Sequence, residues 1–453
     1  MTAMFKASVI AIAYICVAEA GYAQAPQGSS DAPRPLAERY IDPQNGLSLA
    51  DAIARAIERE PTLRASRADI EAAQGMRTQA GLRPNPTVSF ERRQEPAGTD
   101  NWTMAQMEWP LDLFRRASRI IVADREVEAT ERAVEDRRRL LVGDVRMRYG
   151  QAAAAVRDLV TADNVAMSAR RELALLRRRV EEGATPPLER DLMEVELLHF
   201  ESERLLAVGR ADAALFDLKR TLGDPMDAPL MLRDTLETLA PPAIEEPESQ
   251  RPTSGNAPRP SPSTSAERAD VREAETRVRL ADARVERARN DGRFEVSLFG
   301  AYMRMDTGFP QRGFDEAGGL VPVRNVFHYV SAGAMVTVPL RNRNQGEVAA
   351  AQAERTGAAA RLDATRLSAQ AEIRSAAAQE EQARRALALI GASVRLAQQN
   401  LDVLRQTYEL GRGTVSDVLA AQRRYLDVEH GYTDTLKTAY EARTALLRAR
   451  GDQ

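Results

Sequence analysis

Few side chains in this 453-residue sequence are spaced for covalent chemistry. The three histidines, His199, His328 and His430, are scattered rather than set at metal-ligand spacing, and read as surface or packing residues. Met303 and Met305 share one strand face, a soft-donor pair that reads as strand or loop packing. There is no nucleophile–base pair, P-loop or metal motif, so neither an enzyme, a cofactor nor a metal site is expected. One carboxylate stands out. Asp417 lies in "YELGRGTVSDVLAAQ" (408–422), just after two glycines and between two helical runs. It either caps the second helix, with Thr414 and Ser416 as rival caps, or presents charge where the chain reverses. A weaker echo, "EEGATPPLERDLMEVE" (181–196), lies in the first half, and Gly183 and Gly411 fit helix C-caps.

The elements that position these stretches follow from composition. Charged residues make up 28% and aromatics 5%, which suits long helices with a narrow apolar seam better than one large core. The net charge of −3 gives no argument for nucleic acid, and the arginine clusters Arg137–Arg139, Arg177–Arg179 and Arg423–Arg424 read as solvated helix faces. Residues 1–23 read as a secretory signal: Lys6, an apolar run from Ala7 to Ala18, and cleavage after Ala20 or Ala23. The single cysteine, Cys16, lies inside it, so the mature chain is expected to carry no thiol. No other apolar run reaches the roughly 18 residues of a spanning helix, so membrane entry would have to be as a β-barrel.

The sequence repeats itself. Gly183 and Gly411 are 228 apart (411 − 183), as are Glu194 and Gln422, and Gly223 and Gly451. Trp109-Pro110-Leu111 matches Val338-Pro339-Leu340, and Val88-Ser89-Phe90 matches Val296-Ser297-Leu298. Two copies of one unit are therefore expected over 47–223 and 266–451, after an N-terminal extension at 24–46 and joined by a Pro/Ser-rich linker at 224–265, of which Pro241–Glu267 is read as disordered or loosely packed. The second copy carries roughly 20 extra residues near 306–325.

Each copy predicts the same order: a helix (47–82; 266–290), a β-hairpin (about 86–110; about 293–339), a long proline-free helix (113–182; 345–410) and a return helix (187–222; 415–450). Period-two alternation is clearest at Phe294, Val296, Leu298, Gly300 and Tyr302 and again from Val330 to Val338. Heptad seams are expected along Ile120, Val127, Val134 and Leu141, and along Leu387, Val394, Leu401 and Tyr408. A return helix and a barrel-bound helix stacked end to end would match one long helix, giving columns about 100 Å tall. Four strands cannot close a barrel, and lipid tolerates no open sheet edge. Three chains would supply twelve strands, so a homotrimer follows from strand count.

Together the signal, the tandem helix–hairpin–long helix units and the Gly-turn resemble the TolC-type outer-membrane efflux family, over roughly 47–451. "QAGLRPNPTVSFE" (79–91) and "VPLRNRNQGEVAAAQAE" (338–354) look like its CzcC-type heavy-metal branch, where such motifs flank the strands. The resemblance implies a mainly α fold with a membrane β-barrel: a trimer with a twelve-stranded barrel in the outer membrane and a long α-helical barrel in the periplasm. It implies a passive duct loaded by an inner-membrane RND-type pump through a periplasmic adaptor, for heavy-metal cations. The alternatives are the same channel serving drugs or other small molecules, or a periplasmic coiled-coil adaptor.

The resemblance also assigns residues. Tyr408, Gly411, Thr414 and Asp417, with Gly183, Thr185 and Pro186 in copy one, would form the periplasmic tip that gates the pore and meets the adaptor. Asp417 repeated by threefold symmetry would ring the pore with carboxylates. Pro84, Pro86, Pro110, Pro339, Asn342, Asn344 and Gly346 would mark the barrel-to-helix transition. Three departures stand out: Ala420 replaces a second tip aspartate, Gly413 an arginine that locks the tip, and Pro187-Leu188 the first copy's Thr-Asp pair. The family's closed-state locks are then absent or rebuilt. Copy two also lacks a counterpart of "LSLADAIARAIEREP" (47–61), which predicts a reduced belt around the equator.

Overall fold

The computed structural model describes residues 39–96, 100–240 and 268–451; the signal segment, residues 24–38 and most of the Pro-rich linker lie outside them. Copy one comprises α1 (Leu49–Arg59), α2 (Pro61–Gly81), β1 (Thr87–Gln94), β2 (Asn101–Leu111), α3 (Arg115–Glu181) and α4 (Pro187–Leu222). The short α5 (Leu236–Leu239) precedes copy two: α6 (Ala269–Asp291), β3 (Glu295–Phe314), β4 (Leu320–Thr337), α7 (Gln345–Glu409) and α8 (Val415–Arg450). Among the described residues no helix is long and apolar enough to cross a membrane.

The two long helices, of 67 and 65 residues, each span about 100 Å. Each is matched by two shorter helices laid end to end. α3 carries α4 and α2 beside it, and α7 carries α8 and α6. The joints are alike. Each return helix ends in a left-handed glycine, Gly223 or Gly451, the conformation that carries no Cβ penalty there. A Cβ on Gly223 would lie 2.9 Å from the Arg59 carbonyl oxygen, and one on Gly451 3.5 Å from Arg268, the residue before α6. Cations close the second joint. Arg268 donates to the Ala449 carbonyl oxygen (3.0 Å) and Arg139 to that of Arg448 (3.0 Å), where the helix dipole presents its negative end.

Two expectations are revised and one element is added. The single helix expected over 47–82 is two, because Glu60 leaves helical geometry and caps Leu63 N–H at 2.6 Å while Pro61 opens α2. Proline fits this first position because it lacks the N–H that would go unpaired there. The start of the linker, ahead of the stretch read as disordered (which lies outside the described residues), packs on the helices: Leu232, Leu236 and Ala240 are buried, and Leu232 bridges Ile41 and Leu47 in parallel. Tyr149 of α3 pins this belt by donating to the Leu47 carbonyl oxygen (2.7 Å), while its oxygen accepts from the Asp234 N–H (3.2 Å). Lastly, the buried stripe of α3 is not the expected seam. Val122, Ala129, Gly143 and Gly150 are buried, whereas Ile120, Val127, Val134 and Leu141 are half-buried. Close approach explains it, since a Cβ on Gly150 would sit 2.0 Å from the Tyr440 ring.

The four strands form one antiparallel sheet in the order β1-β2-β3-β4. The extra residues of copy two lengthen its strands rather than form a loop. β2 pairs with β3 only as far as Asn101↔Asp306, and β3 and β4 continue as a two-stranded ribbon to Phe314↔Leu320. One face is apolar, with Val88, Phe90, Met107, Trp109, Leu298, Tyr302, Val330 and Val336 exposed on it. The other carries Thr87, Ser89, Glu91, Gln106, Glu108, Ser297 and Ser331.

Candidate functional site

Far from the sheet, both long helices reverse through the same backbone device. Gly183 and Gly411 are left-handed, at φ 73° and 74°. In copy one, Gly183 N–H donates to Val180 (3.0 Å) and Ala184 N–H to Arg179 (2.8 Å). In copy two, Gly411 N–H donates to Tyr408 (2.9 Å) and Arg412 N–H to Thr407 (3.0 Å). These paired bonds satisfy the last carbonyls of each helix, as a Schellman cap does.

The restarts differ. α4 starts after Pro186 with Pro187 in its first turn and no side-chain cap, and Thr185 precedes it half-buried. α8 has a full capping box: Asp417 N–H donates to Thr414 Oγ1 (3.3 Å), and Thr414 Oγ1 and N donate to Asp417 Oδ2 (2.7 and 3.3 Å). Between the rival caps, Thr414 takes the position. Asp417 is exposed, and its charge completes the box at the positive end of the helix.

Just above these turns the copies are joined by Tyr408, which the sequence marks, by Arg179 and Arg423, whose clusters read as solvated faces, and by residues that the sequence does not mark. Tyr408 donates to Glu189 Oε2 (3.4 Å), and Arg179 lies over its ring at 5.5 Å. Arg405 of α7 pairs with Glu172 of α3 (3.1 Å) and donates to Ser168 (3.1 Å), while Gln422 reaches the same Glu172 (2.7 Å). Arg423 grips the buried Glu196 of α4, its Nε donating at 2.7 Å. Beneath them Leu173, Leu176, Met193, Phe200, Val415 and Leu419 form a separate core. Arg405 and Glu172 sit within ordinary charged helix faces, so nothing in their spacing marks them.

Higher up, a polar layer interrupts the seam. Arg157 of α3 donates to Glu429 Oε2 (3.0 Å) and to Thr433 on α8, pairs with Glu237 on α5, and lies 4.9 Å from the Tyr432 ring centroid. Burial and the Glu429 charge push the Tyr425 hydroxyl up to about 12. His430 lies 3.6 Å from Asp158, whose carboxylate raises the imidazole pKa against the opposing effect of burial; Glu203 adds to the rise and Arg210 opposes it. A raised folded value stabilises the fold below the ordinary imidazole pKa of about 6.5, and that stability is lost as pH rises through the folded value. The thermal midpoint should therefore fall between about pH 6 and pH 8 more in the native chain than in His430→Gln. Parallel curves would remove the pair from the stability balance.

At the sheet end, the transition residues have structural roles. Pro84 and Pro86 precede β1, Pro110 pairs with Ser297 near the end of β2, and Pro339 follows β4. Asn344 caps α7 in a left-handed conformation (φ 62°) that asparagine tolerates, and donates to the Ala288 carbonyl oxygen (2.8 Å). Asn342 accepts from Asn344 N–H (3.1 Å), and Gly346 stands in the first turn.

Two hairpin-capped helical columns sharing one tip geometry match a family model described as outer membrane efflux protein, over residues 52–224 and 262–452. The chain belongs to that family. It is an outer-membrane efflux channel protein, not an enzyme. The fold is shared with CusC (TM-score 0.70, 17% identity, covering 92% of this chain and 94% of that one). It is shared too with a membrane protein from Pseudomonas aeruginosa (0.68, 22%, 91% and 92%) and with VceC from Vibrio cholerae (0.66, 19%, 89% and 96%). No curated protein matches the chain.

Proposed function

We propose that three copies of this efflux-family chain form an export duct, with a twelve-stranded barrel in the outer membrane and a helical barrel in the periplasm. An inner-membrane RND-type pump loads it through a periplasmic adaptor, and its cargo is heavy-metal cations. The observation that carries the reading is the four-stranded sheet, whose outer strands β1 and β4 each have one unpaired edge and whose one face is apolar. In lipid such edges have to be paired, and a second and third copy of the sheet would do so. Further support comes from the flanks of the helical layer. Leu389, Leu396, Val403 and Leu410 form an exposed stripe at heptad spacing along α7 and just beyond it, and Leu188, Leu192, Val195, Leu206 and Phe216 one along α4. Each flank is a seam awaiting a neighbour. The heavy-metal cargo rests on the resemblance of 79–91 and 338–354 to the CzcC-type motifs.

In this reading Gly183, Thr185, Pro186, Tyr408, Gly411, Thr414 and Asp417 line the tip that gates the pore and receives the adaptor, and among them the one charged side chain, Asp417, comes from copy two. A trimer extracted from membranes and conducting in planar bilayers is the expected result; a soluble monomer would overturn the proposal. Asp417→Asn tests the gate while preserving the side-chain shape. Cation selectivity should fall, whereas unchanged selectivity would leave Asp417 as a helix cap only.

A further inference from the structure

The strand register brings a third methionine to the pair noticed in sequence. On the less apolar face of the sheet, one cross-strand row reads Glu91, Met104, Met303, Tyr329, and the next reads Arg93, Trp102, Met305, Phe327. Met104 stands directly opposite Met303, and Met305 is the diagonal neighbour of Met104. Directly opposed residues have Cβ atoms about 5 Å apart and diagonal ones lie about 7–8 Å apart, within mutual reach of three long, flexible thioethers. The three methionines are half-buried, while Ala105, Tyr302 and Arg304, which point the other way, are exposed. The cluster therefore occupies the sheltered side, walled by Trp102, Phe327 and Tyr329.

We propose that Met104, Met303 and Met305 form a binding site for a soft monovalent cation, copper(I) or silver(I), on the inner wall of the barrel. That the wall faces the lumen rests on the duct reading above; the grouping of the three side chains does not. Thioether sulfur is neutral and polarizable, so it favours soft d10 cations and discriminates against the harder zinc and cobalt ions. Glu91, in the same row as Met104, supplies a negative charge that offsets Arg93 in the next row. A cation in transit has to be held loosely enough to leave, and neutral donors on an open wall meet that condition better than a closed thiolate cage. Three protomers would place three such sites at one height, past which every exported ion travels.

The test uses the full chain carrying Cys16→Ser, extracted in detergent, with silver(I) titrated calorimetrically in chloride-free buffer. One silver per chain with sulfur scatterers in X-ray absorption is expected. The triple variant Met104→Leu/Met303→Leu/Met305→Leu conserves volume and should lower affinity by about tenfold or more. Met107→Leu, on the opposite face, should leave it unchanged, and Met303→Leu alone should weaken it if the triple variant does not fold. Unaltered binding in the methionine variants, a matching loss in Met107→Leu, or zinc binding as tight as silver would each overturn the site. In bilayers, silver should lower the current of the native protein and not of the triple variant. Current without silver binding refutes the site and leaves the duct; silver binding without current refutes the duct and leaves the site.

Discussion

Arg157→Ala is expected to destabilise the extracted protein by about 3–5 kcal/mol, the cost of breaking a buried ion pair by removing one partner. Glu429 and Thr433 occupy buried positions in the α8 seam, and Arg157 is the cation that meets both while reaching Glu237 on α5. Without it the buried Glu429 carboxylate keeps the Tyr425 hydroxyl as a donor but loses its countercharge. Thermal unfolding should show the loss, and adding Glu429→Gln should recover part of it because the stranded charge is gone. A change below about 1 kcal/mol would mean that water penetrates and the pair behaves as a surface one.

The second large effect concerns the tip. Arg405→Ala combined with Tyr408→Phe removes two ties between the copies, to Glu172 with Ser168 and to Glu189. At the tip, the α7–α8 hairpin then remains joined to α3 and α4 mainly through Gln422, Arg423 and the small tip core. If the tip gates the pore, the double variant should conduct several-fold more than the native channel, with its thermal midpoint lowered only modestly because each lost bond is worth about 1 kcal/mol. Unchanged conductance in a folded trimer would remove these ties from the gate. If the variant conducts more, the departure seen in sequence, glycine at 413 where the resemblance implies a locking arginine, is met by Arg405 further up the helix, which pairs with Glu172 across the copies.

Much of the architecture was legible because it follows from short-range rules. Long proline-free runs with Gly-Pro or Gly-Thr interruptions dictate long helices and their reversals, and a backbone turn needing φ above zero calls for glycine at 183 and 411 wherever the helices go. Alternation from Phe294 to Tyr302 dictates a strand with one apolar face, since successive side chains point to opposite sides. The duplicated order, the strand count and the need to pair sheet edges follow from the sequence in the same way.

What the tertiary structure decided are choices between local options of nearly equal energy. Heptad spacing allows several stripes on one helix, and contact with α8 selected the glycine-bearing stripe of α3 because Gly150 admits Tyr440. Residues 224–240 carry no helical or strand periodicity long enough to place them, yet Leu232 and Leu236 pack in the core beside Tyr149. Arg405, Glu172 and Arg157 look like any charged helix residues until a distant segment brings each its partner. Met104 joins Met303 and Met305 only through inter-strand register, a relation between residues about 200 positions apart. Sequence alone determined most of the elements and their order. Which face met which, and hence every candidate tie, gate and binding wall, depended on long-range packing, where specificity comes from shape and charge complementarity rather than from spacing along the chain.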